Sequence, residues 1–283
     1  MSNWTIVTGF YQTPEHKGYS LESYKEKSKF TLSLDNNMII YCDDSLYDFI
    51  QEKRKNLPSK IYLIEDLPYS KYLNQISENR KRNYPNGYPD TRNTPWYFIV
   101  TMSKFTFLDR AIKENPFKST HFMWLDFGYS QLDSDSRYID EIFKENRNLF
   151  SCCLIDYFPE KLAYIPNIFY QNGGPCTVAA GVLTGSIQVL PEIIKKAEEE
   201  FISVVNSGYG HSEQSIIYIL LLKYSPLFRF YVGDYYCLLK NYVKPIDLTT
   251  TNNCLIPNVL RDNNKKLLQR IIHILDGNVS TVN

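Results

Sequence analysis

One aspartate stands where a buried strand should end. Asp126 follows the apolar segment His121–Leu125 and is followed at once by Phe127 and Gly128. A short apolar run that stops at a polar residue and a glycine predicts a buried strand with a carboxylate at its end. The strand ends of an open α/β sheet border a crevice, where a carboxylate can hold a metal ion, a sugar hydroxyl or a developing charge. Asp126 is therefore the first candidate for a functional residue.

Aromatic and acidic residues follow three other predicted strands, which cover residues 4–8, 37–42 and 60–64. The residues at these strand ends are Phe10, Tyr11, Asp43, Asp44, Glu65 and Asp66. A parallel sheet brings such ends to one edge, where an aromatic face could hold a base and a carboxylate could hold a ribose. Each acid by itself is more simply explained as a turn former or a helix cap. As a set, they favour a binding site.

The elements that must position these residues alternate along the chain. Helical patterns cover residues 45–55, 96–115, 138–146 and 191–205, and a further helix begins near residue 212. Additional strands are predicted over residues 151–155 and 228–232. This alternation predicts an α/β domain in which helices flank a central, mostly parallel sheet. The proline-containing segment 67–95 is predicted to be a long surface excursion.

Length and charge narrow the class of protein. The 283 residues fit one domain with a C-terminal tail, in which residues 263–275 form an amphipathic helix. That helix could dock on the body, form a homodimer contact or lie on a membrane surface. Lys plus Arg equals Asp plus Glu at 31 each, so no global charge favours nucleic acid as a partner. Without a signal peptide, and with no apolar run near the about 20 residues of a transmembrane segment, we expect a cytoplasmic protein.

Several common motifs are absent from the sequence. The six cysteines show no C-x-x-C spacing, which disfavours a zinc ribbon or a disulfide framework. No G-x-G-x-x-G follows the first predicted strand, and neither G-K-[ST] nor G-x-S-x-G occurs. These absences argue against dinucleotide-dependent dehydrogenases, P-loop enzymes and serine hydrolases.

Four segments carry a resemblance to a known family. They are Thr5-Ile-Val-Thr-Gly-Phe-Tyr11, Asn37-Met-Ile-Ile-Tyr41, Ser103-Lys104 and Asn115-Pro-Phe-x-Ser-x-x-Phe-x-Trp-Leu-Asp-Phe-Gly128. The last is long and specific, and together they resemble the HtrL/YibB family of glycosyltransferase-like proteins. That family is similar to GT-A enzymes, whose single Rossmann-like domain binds a nucleoside-diphosphate sugar. Such enzymes usually hold Mn²⁺ or Mg²⁺ through an Asp-x-Asp motif, whereas the corresponding triplet here ends in Gly128.

The resemblance implies a role for each candidate residue. It assigns residues 1–128 to a nucleotide-binding half, 129–245 to an acceptor and sugar half and 246–283 to the tail. Asp126 would orient the sugar or the metal ion, and Lys104 would reach the diphosphate. The nucleoside would be held by residues near the first two strand ends: Thr8, Phe10, Tyr11, Asp43 and Asp44.

The second half of the chain supplies the remaining candidates. Glu213 would act as base for an acceptor hydroxyl, or Gln214 as a sugar ligand, and Asp234 would be a further metal ligand. Gly128, Gly181 and Gly185 would line the donor pocket. Simpler explanations remain for two of them, since Lys104 could be a solvated lysine and Glu213 could complement a helix dipole.

The sequence therefore predicts transfer of a sugar from a nucleoside-diphosphate donor to a hydroxyl of a glycan, lipid or protein. The missing second acid of the Asp-x-Asp motif supports an alternative, a catalytically silent protein that binds a nucleotide-sugar or glycan. A structural interaction module that uses the tyrosine-rich surface and the tail helix is a third hypothesis. It predicts no nucleotide binding at all.

Overall fold

Seven strands form one sheet in the computed structural model of the chain. The model describes residues 3–15, 19–84, 93–132, 134–145, 148–156, 158, 160–170, 176–210 and 212–246. The strands are β1 (Trp4–Phe10), β2 (Met38–Cys42), β3 (Ser59–Leu63), β4 (His121–Leu125), β5 (Phe150–Leu154), β6 (Val178–Ser186) and β7 (Phe228–Val232). Their order across the sheet is β3-β2-β1-β4-β6-β5-β7. Each strand predicted from the sequence is present within one or two residues of its expected bounds.

The sheet is mostly parallel, as the sequence predicts. Strand β1 pairs in parallel with both β2 and β4, and β2 pairs in parallel with β3. Strand β6 alone runs in the opposite direction, antiparallel to β4 and β5, and β5 pairs in parallel with β7. The predicted α/β class is therefore confirmed, whereas the reversal of β6 was not anticipated.

Helices cover both faces of the sheet. They are α1 (Leu21–Lys27), α2 (Lys29–Ser33), α3 (Asp44–Arg54), α4 (Leu73–Asn83), α5 (Pro95–Glu114), α6 (Ser136–Phe143), α7 (Glu160–Ala163), α8 (Pro166–Phe169), α9 (Leu190–Asn206), α10 (Glu213–Lys223) and α11 (Leu238–Val243). Buried residues of α2, α3, α6 and α11 pack on one face of the sheet. Those of α4, α5, α9 and α10 pack on the other face.

This arrangement creates a crevice at the carboxyl end of β4. The chain leaves β1 through α1 and α2 on one face and pairs as β2 on one side of β1. It leaves β3 through α4 and α5 on the other face and returns as β4 on the opposite side of β1. The strand order therefore reverses between β1 and β4. Ligands of open α/β sheets bind at such a reversal, outside the carboxyl ends of the strands. Asp126 follows β4 at this point.

Capping residues mark both ends of helix α5. The side chain of Thr94 accepts a hydrogen bond from Tyr97 N, and Pro95 occupies the first turn. The helix ends at Asn115, which has a left-handed conformation with φ of 33°. The Asn115 side chain then exchanges hydrogen bonds with the backbone of Ser119, which leads into β4. Because α5 runs back to the start of β4, its first turn lies at the carboxyl edge of the sheet.

A buried arginine ties α3 to the segments around it. Arg54 is 2% exposed, and its guanidinium donates to Ser59 Oγ and to four backbone carbonyls. The carbonyls belong to Leu32, Leu34, Asn36 and Pro58. Arg54 thereby joins the end of α2 to the segments that lead into β2 and β3, and its guanidinium supplies donors to their backbone carbonyls.

The segment 67–95 differs from the sequence prediction. It contains α4, whose Ile76 is fully buried, instead of being only a surface excursion. The remaining residues of α4 are mostly polar. The sequence of α4 therefore lacks the apolar residues at helical spacing from which a helix is predicted. Helices α1 and α2 were not predicted either, and the predicted tail helix at residues 263–275 lies outside the described residues. No helix in the described part of the chain is both long and apolar enough to cross a bilayer.

Candidate active site

Asp126 is held firmly by its backbone but presents its side chain to the crevice. Its backbone N donates to Gly181 O at 3.0 Å, and its carbonyl accepts from Thr31 Oγ1 at 3.1 Å. Trp124 Nε1 donates to one carboxylate oxygen, Oδ1, at 2.7 Å. The side chain is nevertheless 47% exposed. The strand end therefore fixes the direction of a carboxylate that a ligand can reach.

Lys104 lies directly behind this carboxylate. Its Nζ is 2.9 Å from Glu213 Oε1 and 3.7 Å from Asp126 Oδ1. It also donates to the carbonyl of Ala180 at 3.0 Å. The side chains of Lys104 and Glu213 are only 4% and 5% exposed. We call Asp126, Lys104 and Glu213 the acid–lysine cluster.

The cluster keeps a positive charge in the interior. Burial by itself would lower the pKa of Lys104, but the carboxylates of Glu213 and Asp126 outweigh it and raise that pKa above its ordinary value. With both acids ionised, the cluster carries a net charge of one negative unit. The exposed member, Asp126, presents that charge to the crevice.

Helix α4 positions Glu213 through the segment that precedes α10. Asn79 Nδ2 donates to the carbonyls of Val205 and Tyr209, and Arg80 Nε donates to Gly210 O at 2.8 Å. These bonds fix the chain just before Glu213, which is the first residue of α10. Sequence reasoning found Glu213 but missed the helix that places it.

Gln214 follows in the first turn of α10 and is half-buried. Gln214 therefore adjoins Glu213 of the cluster and, like Asp126, is intermediate in burial. His211 lies outside the described residues.

A pocket of about 550 Å³ opens at the carboxyl ends of β1, β2 and β3. Its lining includes Tyr11, Asp44, Leu63 and Glu65. The Tyr11 hydroxyl donates to Glu65 O at 3.1 Å, and Leu63 is 51% exposed. An aromatic ring, an exposed apolar side chain and exposed acids therefore line one concave surface, as the sequence predicts for Tyr11 and Asp44.

Asp43 also lines this pocket, but its oxygens are already used. One oxygen accepts from Ser45 N at 3.1 Å and from the Ser45 hydroxyl, which caps α3. The other accepts from the backbone N of Gln12. Asp43 is 8% exposed, so it shapes the pocket by joining the loop after β1 to α3. Of the two adjacent acids, Asp44 is the one that a ligand can reach.

Two other predicted nucleoside ligands point into the interior. The ring of Phe10 is 6% exposed and lies between Tyr24 and Phe127, with centroid distances of 4.8 and 5.4 Å. Thr8 is fully buried, and its hydroxyl has no hydrogen-bond partner among the described residues. Alternation along β1 turns both side chains toward the face of the sheet that α2 and α3 cover. The structure thus does not bring Thr8 or Phe10 to the pocket.

The three glycines lie in different surroundings. A methyl group on Gly181 would be 3.3 Å from Asp126 Oδ2, so this glycine adjoins the candidate carboxylate. Gly128 lies in the turn after β4, beside Lys27 of α1. Gly185 pairs with Phe122 at the opposite end of β4, and a methyl group there would be 2.8 Å from Leu190. Gly185 therefore lies against a neighbouring helix, away from the strand end that carries Asp126.

Tyrosines that the sequence did not single out surround the crevice. Tyr97 lies two helical turns before Lys104 on α5, on nearly the same face and nearer the carboxyl edge. Partial burial and the carboxylates of Glu213 and Asp126 raise the pKa of Tyr97 well above its usual value. Burial is the main cause, and the Asp126 carboxylate the second, of a raised pKa at Tyr235. Tyr97 and Tyr235 remain 45% and 40% exposed. Among 23 tyrosines, no spacing distinguished these two.

The residues of the site do not fit a divalent ion held by protein side chains. Asp234 caps a short helical turn, Tyr235–Cys237, by accepting from Tyr236 N at 2.8 Å. The Oδ1 of Asp126 already accepts from Trp124 and faces the Lys104 ammonium. Across the described residues, no three His, Cys, Asp or Glu side chains are grouped so that they could hold a metal ion by themselves. Divalent ions such as Mg²⁺ and Mn²⁺ prefer oxygen ligands without a neighbouring cation.

Comparison with known proteins decides the family. Residues 2–243 match the family model described as "Bacterial protein of unknown function (HtrL_YibB)". The chain belongs to the HtrL_YibB family. No curated protein sequence matches it. Among solved structures, the crystal structure of mouse Xyloside xylosyltransferase 1 in its apo form is similar with a TM-score of 0.43 and 9% identity, over 80% of this chain and 84% of that one.

Proposed function

We propose that this protein transfers a sugar from a nucleoside-diphosphate sugar to a hydroxyl acceptor. The observation that carries the proposal is the placement of Asp126. It is an exposed carboxylate at the point where the strand order reverses, and a buried Lys–Glu pair lies behind it. The pocket of about 550 Å³ at the neighbouring strand ends offers space for the nucleoside. The resemblance in the segment that ends at Gly128 supports the same reaction.

Asp126 is the catalytic residue of this scheme. In glycosyl transfer, the bond between the anomeric carbon and the diphosphate oxygen breaks, and that oxygen keeps the electron pair. A bond to the acceptor oxygen forms, and the acceptor proton passes to the departing diphosphate. The sugar carries positive charge in the transition state. A carboxylate fixed by Trp124 and by the backbone of Gly181 stabilises that charge without rearranging.

Lys104 and Glu213 are positioning residues in this scheme. Glu213 is buried and paired with the Lys104 ammonium, so it is poorly placed to take a proton from an acceptor. Tyr97 and Tyr235 flank the crevice with exposed rings, a surface against which the apolar face of a sugar can pack. Tyr11 and Asp44 would contact the nucleoside.

The test compares Asp126→Asn with the wild-type protein. Nucleotide release from a panel of UDP- and GDP-sugars should fall about a hundredfold or more, because the charge that stabilises the transition state is lost. The melting temperature should change little, since the side chain is half exposed and Asn can still accept from Trp124 Nε1. Asp109→Asn is the matched control, because Asp109 pairs with Lys113 on the surface of α5.

Three outcomes separate the hypotheses. Turnover that is lost in Asp126→Asn supports the transferase. Calorimetric binding of nucleotide-sugars without turnover of any donor would favour the silent binding protein that the missing second acid suggests. Wild-type turnover by Asp126→Asn would refute the assignment of the catalytic residue.

A further inference from the structure

The Lys104 ammonium lies between oxygen atoms of three residues, which we call the oxygen cage, and the centroid of the Trp124 ring is 5.6 Å away. Its nearest polar neighbours are Glu213 Oε1 at 2.9 Å, Ala180 O at 3.0 Å and Asp126 Oδ1 at 3.7 Å. Two carboxylates and a backbone carbonyl are the ligand types that hard divalent cations take in proteins. We infer that Lys104 is the fixed cation of this site and holds the place that a divalent ion would need between Asp126 and Glu213.

The ammonium cannot share this place with a metal ion. Lys presents three donors and no acceptor, so its Nζ cannot serve as a ligand while it is charged. A divalent ion bound to Asp126 Oδ1 at about 2.0–2.6 Å would lie beside that ammonium, with like charges in contact. The Lys104 side chain is 4% exposed and is held by contacts to β6 and α10. Moving it away would leave a buried charge without partners.

The consequence for function follows from the same geometry. A divalent ion in a sugar-transfer site would bind carboxylates together with the substrate phosphates, and would so offset the repulsion between these like charges. Here an amine that the chain itself supplies neutralises one of the two carboxylates. Binding and turnover of the donor should therefore not require Mn²⁺ or Mg²⁺, a consequence that rests on the proposed function.

The first experiment needs no donor. Mn²⁺ is titrated into the wild-type protein and into Lys104→Met, and bound ion is measured by electron paramagnetic resonance. Methionine keeps the apolar stem but removes the charge, so the oxygen cage becomes empty and doubly negative. We expect Lys104→Met to bind one Mn²⁺ roughly tenfold or more tightly than the wild type.

Two variants check that the gain arises in the cage. Adding Asp126→Asn to Lys104→Met should remove the gained site, because one of its carboxylates is lost. Lys223→Met is the matched control, since Lys223 also forms an ion pair with a glutamate, Glu200, at 2.5 Å, but its own side chain is 37% exposed. This control should bind Mn²⁺ no better than the wild type.

Several results would overturn the inference. One is a folded Lys104→Met variant that gains no Mn²⁺. Another is a wild-type Mn²⁺ site that disappears in Asp126→Asn, and this comparison remains decisive if Lys104→Met does not fold. A third is calorimetric binding of UDP or GDP that appears only with Mn²⁺, is absent in EDTA and is lost in Asp126→Asn. Failure of every nucleotide to bind would count against the proposed function, while the Mn²⁺ titrations would still decide the role of Lys104.

Discussion

Replacing Glu213 by alanine tests whether the buried ion pair organises the site. The variant leaves the Lys104 ammonium in the interior with one carboxylate, Asp126, at 3.7 Å and one carbonyl. Lys104 then has less compensation for its lost hydration than in the wild-type protein. We expect the free energy of unfolding to fall substantially.

The distances set the size of this effect. At 2.9 Å and an effective dielectric constant of about 20, the attraction between Lys104 and Glu213 is about 6 kcal/mol. Deprotonation of Lys104, entry of water into the space left by the side chain and the remaining attraction of Asp126 offset part of that loss. The net cost should be about 3–5 kcal/mol, as for other buried pairs that lose one partner. That is a large part of the about 5–15 kcal/mol that stabilises a typical domain.

Urea unfolding measures the prediction. Glu78→Ala is the matched control, because Glu78 and its partner Lys81 are 65% and 74% exposed and such pairs contribute little to stability. The double variant Glu213→Leu with Lys104→Met should lose less than the sum of the single variants, since it leaves no unpaired charge. If Glu213→Ala costs no more than Glu78→Ala, the reasoning about the buried pair is wrong.

Three further predictions concern stability. Arg54→Met should lower the free energy of unfolding by about 3 kcal/mol or more, because the carbonyls of Leu32, Leu34 and Asn36 lose a donor; urea unfolding measures this, and an unchanged midpoint would contradict it. Gly185→Ala should cost about 1–3 kcal/mol, because its methyl group would press on Leu190 at 2.8 Å, and thermal unfolding would show whether the melting temperature stays the same instead. Burial raises the pKa of the Cys152 thiol from 9.0 to about 12, so the unfolded chain loses this proton first and stability falls as pH rises from about 9 to about 12. In Cys152→Ala this decline should be shallower by about 1.4 kcal/mol per pH unit, whereas Cys176→Ala, at an exposed position, should keep the wild-type slope.

Local patterns were sufficient to predict most of the sheet and its larger helices. The strand ending at Asp126 and the helix over residues 96–115 were both expected, and the structure has them as β4 and α5. Such elements are visible in a sequence because burial on one or both faces imposes an apolar period. Helix α4 has only one fully buried apolar residue, Ile76, so its fold depends on contacts that no local pattern records.

The residues of the candidate site were likewise predictable from the sequence, but the contacts between them were not. Asp126, Lys104 and Glu213 were each identified as candidates, but the sequence implied a diphosphate ligand for Lys104 and a free base in Glu213. The 2.9 Å contact between Lys104 Nζ and Glu213 Oε1 joins residues more than a hundred positions apart in the chain. Side-chain direction also separated neighbours along the chain, since Phe10 faces the core while Tyr11 lines the pocket.

The sequence by itself determined where strands end and which of those ends carry acids, because strand length and burial are written in the local order of apolar residues. Only the tertiary structure decided which acids remain open to a ligand. Asp43 is used as a helix cap, Glu213 is neutralised by Lys104, and Asp126 is left facing the crevice. These outcomes depend on distances between elements that are remote in sequence, and the packing of whole helices against the sheet sets those distances.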